Sequence, residues 1–229
     1  MLLRWPAFLR LCLAVLVLTA SGAATTLRAD DLEPLRLNLP APMFVGTPKE
    51  RPPGSNIEPL SDKPRPAFMV PKGLKNLAPA SRITTSDARA NAGTLRKLVD
   101  GNKDPSDENT VLLRKGTQWV QLDLGSANEI FVIVIWHSHD SPKVYRDVVV
   151  QVADDAEFTK NLQTVFNNDL DNSSNRGPGT DREYYETHEG KLIDAKGVKG
   201  RFVRCYSKGS TDSALNEYTE VEIYGRPAK

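Results

Sequence analysis

Two stretches of this sequence carry residue types able to hold a ligand. His137-Ser138-His139-Asp140 sets two imidazoles two residues apart. Alternate residues on a strand share a face, so both rings can meet one metal ion or one ligand. Zinc needs three or four ligands, and the only other histidine is His188. The same stretch also reads as a ligand-binding loop that starts where an apolar run ends. Its candidate contacts are His137, His139, Asp140, Tyr145 and Arg146, with Pro142 and Lys143 between them. Planar rings beside charged groups suit a hydroxyl-bearing ligand. A plain polar turn is the alternative. The second stretch, Asp169-Leu170-Asp171-Asn172-Ser173-Ser174-Asn175, alternates oxygen ligands as calcium loops do, but no Gly or closing Glu falls where an EF-hand needs them. It reads as a solvated acidic loop containing a formal Asn172-Ser173-Ser174 glycosylation sequon. No nucleophile elbow, His-Glu-x-x-His pair or phosphate-cradling Gly loop is present.

The elements that would position these residues are strands. Val120, Leu122 and Leu124 alternate with polar residues, as on a half-buried strand. Glu129–Trp136 (EIFVIVIW) is nearly continuously apolar and β-branched, which predicts a central strand covered on both faces. Val148–Val152, Leu162–Phe166, Glu183–Thr187, Arg201–Ser207 and Tyr218–Tyr224 read as further short strands, and Leu95–Val99 as a brief helical turn. Polar, turn-rich stretches separate them. Many short strands with polar turns argue an all-β antiparallel sandwich or barrel from residue 76 onward.

Upstream the composition changes. Eleven of the sixteen prolines fall between Pro34 and Pro79. Proline removes a backbone donor and pushes its predecessor toward extended conformations, so residues 24–75 read as an extended Pro-rich linker. On that reading a chain lacking residues 30–70 keeps its fold. Leu35, Leu37, Leu39, Met43, Phe44, Phe68 and Met69 are apolar positions at which the linker can lie against a domain surface. Arg4 and Arg10 precede the run Leu11–Leu18, and Ser21-Gly22-Ala23 offers small residues for cleavage. Residues 1–23 therefore read as a secretory signal peptide, with a second possible cut at Ala29. The apolar run is too short to span a bilayer, which takes ~20 residues, so no integral span is expected after cleavage. The implied location is secreted, periplasmic or at the cell surface. The net charge of +1 argues against a nucleic-acid partner. The chain has only Cys12 and Cys205, and cleavage removes the first. No internal disulfide can then form, and Cys205, in an alternating apolar stretch, reads as a buried small hydrophobe.

The order Leu98-Val99-Asp100-Gly101-Asn102, then Trp119-Val120-Gln121-Leu122-Asp123-Leu124-Gly125, the apolar strand ending at Trp136, and the closing Thr219-Glu220-Val221-Glu222-Ile223-Tyr224-Gly225 resembles the discoidin (coagulation factor V/VIII type C) family. The resemblance covers residues 76–227. It implies a galactose-binding-like jelly-roll β-sandwich and a non-catalytic binding role, with a glycan or glycosylated surface as partner. A protein-interaction or scaffold module is the alternative, and an isolated hydrolase a third reading. The bracketing cysteines of many animal discoidin domains are absent, as in disulfide-free carbohydrate-binding modules. In similar modules a structural calcium ion sits where the first loop meets the last strand. The matching positions are Lys97, Asp100, Asn102, Thr219 and Glu220. Calcium takes six to eight oxygens from carboxylates and carbonyls together, and an Asp-Gly-Asn turn lets successive carbonyls converge. An ordinary Asx turn is the alternative.

Overall fold

A computed structural model describes residues 31–44, 56–61, 63–88, 90 and 94–229. The expected signal peptide lies outside these residues. Ten strands follow in chain order: β1 (Leu32–Pro34), β2 (Met69–Pro71), β3 (Lys75–Asn76), β4 (Arg82–Thr85), β5 (Val111–Leu113), β6 (Gln118–His137), β7 (Val149–Ala153), β8 (Gln163–Asn167), β9 (Lys191–Ser207) and β10 (Asn216–Pro227). The helical content is two 3-10 turns at Ala78–Ala80 and Leu95–Val99.

β6 and β9 build both layers of the sandwich. They pair with each other along most of their 20 and 17 residues, and each changes its other partner part-way. The first part of β6 pairs with β4, and the later part of β9 with β7, which continues to the edge strand β8. The second part of β6 pairs with β10. The β6–β9 register shifts between Asp123 and Asn128 and again between Ile130 and Val132. Bulges of this kind bend a strand and reset which face each side chain takes. Hence Val120 and Leu122 enter the core in one phase, and Ile133 and Ile135 in the other. The core closes with Val150, Val152, Val203, Cys205, Val221 and Ile223. Cys205 is fully buried, as its neighbours suggested, and burial pushes its thiol up to about 12.

The apolar run at 129–136 is covered on both faces, as its composition required. Val132, Val134 and Trp136 point away from the core into a second cluster with Val70, and Leu35, Leu37, Phe68 and Leu74 pack onto it. These covering residues come from the proline-rich segment. Its described parts are extended but docked on the domain. β1 pairs with β2, and the Leu35 N–H donates to the Phe68 carbonyl at 2.8 Å. Further along, Glu58 N–H donates to the Glu183 carbonyl at 2.7 Å, Lys191 Nζ lies 2.6 Å from Glu58, and Arg65 donates to the Glu189 carbonyl at 2.8 Å. A boundary at residue 76 therefore cuts through packed structure. Leu39, Met43 and Met69 remain exposed. Proline density forbids regular ladders but not apolar contact, so the composition indicated an extended chain without showing that it is held.

Glu183–Thr187 is not a strand; it makes only isolated bridges, from Glu183 to Ile57 and from Tyr185 to Val144. The turn that follows packs Gly190 at φ +63 against Trp136, where an added Cβ would lie 2.6 Å from the indole. No other residue type fits both that backbone angle and that space.

Candidate functional site

Of the five residues read as a ligand loop, three are inside the protein. His137, His139 and Tyr145 are each fully buried. His137 Nδ1 lies 2.9 Å from the carboxylate of Glu186, itself fully buried, and its ring stacks on Tyr145 with centroids 4.2 Å apart. His139 Nε2 lies 2.9 Å from the Lys103 carbonyl. The Tyr145 hydroxyl donates to Glu217 at 2.7 Å. These side chains tie loops to the core and cannot touch an external ligand in this conformation. Asp140 is exposed and paired with Lys143 at 2.8 Å, and Arg146 is partly exposed, 3.8 Å from Glu183. The two histidines do not share a site: they take partners on different segments. Sequence reading missed Glu186 and Glu217, because an acidic residue in a polar stretch carries no sign that the fold will bury it.

The residues matched to a calcium site lie where the 100–104 loop meets β10. Lys97 is half-buried in the 3-10 turn, Asp100 and Asn102 are exposed, and Thr219 and Glu220 are buried. Asp100 Oδ1 accepts from the Asn102 N–H at 2.8 Å and Asn102 Oδ1 from the Asp104 N–H at 3.1 Å. Both oxygens of Glu220 accept the Gly101 N–H at a long 3.2 Å, and Thr219 Oγ1 has no partner within the protein. Lys103 and Glu222, which the spacing argument missed, form a buried pair at 2.7 Å beside them. Burial pushes the Glu220 carboxyl up to about 8, against the pull of Lys103 and the Gly101 N–H, with Glu222 and Asp100 adding to the rise. A buried carboxylate short of positive charge and an adjacent orphaned hydroxyl are what a hard, oxygen-preferring cation would satisfy, so the residues present fit calcium.

The acidic loop is not simply solvated. Asp147, Asp169 and Asp171 bring carboxylate oxygens within 4.8 Å of one another, and Asp169 is fully buried. Its oxygens accept the Ser173 N–H at 3.0 Å, the Ser174 N–H at 2.9 Å and the Ser174 hydroxyl. Burial raises the Asp147 carboxyl above its ordinary range, although its Ser173 hydrogen bond and Lys208 oppose the shift. The loop thus satisfies Asp169 with its own backbone. That also withdraws Ser174 of the sequon into the interior.

Residues 97–205 match the family model described as F5/F8 type C, NedA-like, galactose-binding domain. The β-domain is of the discoidin type. Among solved structures, similarity of this discoidin-type domain extends to a family 89 glycoside hydrolase from Clostridium perfringens in complex with PUGNAc, at 16% identity and TM-score 0.49, over 67% of this chain and 15% of that one. The CBM32 of AlyQ in complex with 4,5-unsaturated mannuronic acid shows 20% identity and TM-score 0.45, over 62% of this chain and 92% of the module. A Streptococcus pneumoniae fucose binding module shows 20% identity and TM-score 0.46, over 66% and 98%. The chain thus spans only a small part of the first of these proteins. No curated protein matches its sequence.

Proposed function

We propose that the protein is an exported, non-catalytic carbohydrate-binding module whose discoidin-type sandwich is stabilised by calcium. The match of residues 97–205 to a galactose-binding family model carries this reading. The N-terminal Arg4, Arg10 and Leu11–Leu18 pattern supports export to a secreted, periplasmic or cell-surface location. The modules named above, one complexed with a uronic acid and one named for fucose, make glycans the first ligands to test. Screening the purified protein against a broad glycan array tests the function directly. Reproducible binding of a defined sugar class supports it. No bound glycan, with a protein partner recovered instead, overturns it in favour of an interaction module. Turnover of a bound polysaccharide would overturn the non-catalytic part.

Calcium would be held by the Lys97 and Thr219 carbonyls with Asp100, Asn102 and Glu220, and would supply the positive charge that Glu220 lacks. The folded carboxyl at about 8 stands above its unfolded value of 4.5. Without calcium, stability is therefore fully present below about pH 4.5 and is lost as the pH rises through 8. The loss is a few kcal/mol, at about 1.4 kcal/mol per pH unit of difference. Melting temperatures in chelator should fall over that window, recover on adding calcium, and become insensitive to both in Glu220→Gln. Asp100→Ala should lose the calcium response while keeping the pH slope. A wild-type melting curve that calcium leaves unchanged at pH 8 would remove the metal, leaving Lys103 as the only neighbouring counter-charge.

A further inference from the structure

The one extended open hollow among the described residues runs across the outer edge of the sheet, away from the 137–146 loop. β8 ends the strand order of its layer, with β7 on one side. Two cavities, of about 570 and 280 Å³, adjoin along it and share Thr164 and Val165. The first lies between β8 and residues 194–199 of β9, the second between β8 and residues 176–181. Together they form a trough as long as the five-residue strand, ~16 Å at 3.3 Å per residue.

The lining is polar and unevenly charged. Gln163, Thr164 and Thr180 supply amide and hydroxyl groups, and Lys196, Lys199 and Arg176 are exposed cations. The two acids of the walls are turned to backbone donors: Asp194 accepts the Lys196 N–H at 3.0 Å, and Asp181 accepts the Asn167 N–H at 2.6 Å. Lys196 and Arg176 form no ion pair, and Lys199 has only Glu129 at 3.5 Å. Lys196 stands at φ +53 in the β9 bulge, followed by Gly197 at φ +76, whose added Cβ would lie 3.1 Å from the Phe131 ring. The turn that presents Lys196 is thus fixed by packing on the opposite side. A preformed trough with hydroxyl and amide donors, an excess of positive charge and no aromatic side chain other than Phe166 in its walls suits an extended, hydroxyl-rich and anionic ligand.

We infer that this trough is a binding site for a linear acidic glycan, with Arg176, Lys196 and Lys199 meeting its carboxylate or sulfate groups. The inference rests on the carbohydrate-binding reading and gives it a ligand class and a place. Arg presents a planar fork matched to carboxylate, and Lys a point charge, so loss of both types should weaken binding.

The test uses the full chain, with calcium present, and a set of carboxylated and sulfated oligosaccharides that includes tetragalacturonate and its neutral methyl ester. Acidic members should bind, with affinity falling about tenfold between low and 0.5 M salt and about tenfold for the methyl ester. Arg176→Glu/Lys196→Glu should abolish that binding with no change in melting temperature, since both side chains are exposed. Arg146→Glu, at the loop the sequence favoured, should leave it intact. Binding of neutral glycans that the double variant does not alter would overturn the trough while leaving the carbohydrate-binding reading standing. Binding of no glycan of either kind would overturn both.

Discussion

A chain cut at residue 76 is expected to self-associate in size-exclusion chromatography and to bind hydrophobic dyes, whereas the chain beginning at residue 30 stays monomeric. The cut uncovers Val132, Val134 and Trp136, all fully buried beneath Leu35, Leu37, Phe68 and Val70. Each such side chain gains roughly 1.5–3 kcal/mol from burial. Ordering the covering segment opposes that gain at about 1–2 kcal/mol per residue, so the net loss of stability is smaller than the burial alone. The exposed patch remains, and patches of this kind drive association. Val70→Asp gives the same result without truncation: a carboxylate placed in that apolar cluster should cost about 3 kcal/mol or more. At roughly 2–4 °C per kcal/mol for a domain of this size, the melting temperature falls by about 6–12 °C. A truncated domain that is monomeric, dye-silent and unchanged in melting temperature would show that the segment is a passive tether.

The second large effect belongs to the buried His137–Glu186 pair. Removing either partner strands the other in the core, and breaking such a pair costs about 3–5 kcal/mol. His137→Ala also removes the ring stacked between Tyr145 and Tyr218, whose centroids lie 4.2 and 4.7 Å away. Glu186→Gln keeps the volume and a hydrogen-bonding group, so it should cost less than Glu186→Ala. In a double-mutant cycle, His137→Ala with Glu186→Ala should cost clearly less than the sum of the singles, because the second change removes the stranded group. Additive losses from chemical denaturation would mean that the two groups do not interact in solution. The single variants should also disturb the 183–190 loop, and with it the docking of Arg65 and Glu58, since Glu186 lies between Glu183 and Glu189 on that loop.

Much of the architecture was legible because strands declare themselves locally. The alternation at 120–124 and the continuous apolar run at 129–136 each named the faces that the structure buries. The first half of β9 was not legible. Lys191–Gly200 holds three lysines and two glycines and reads as a turn, yet it pairs with β6 through a bulge at Lys196. Its pattern is broken by the bulge, and a one-residue phase slip hides a period of two. The calcium positions were picked out by spacing within a family pattern. The loop reading at 137–146 failed at three residues because His and Tyr have the same letters whether they face solvent or a buried carboxylate.

The sequence by itself determined that the domain is an antiparallel β-sandwich with a discoidin-type order of motifs, since periodicity and motif order are carried by neighbouring residues. Only the tertiary structure decided that the proline-rich arm covers Trp136, that His137 is paired with Glu186, and that an open trough lies along β8 with uncompensated cations on its walls. Those are contacts between residues tens of positions apart. Burial and charge compensation are properties of what folds against a side chain, and no local pattern of residue types records them.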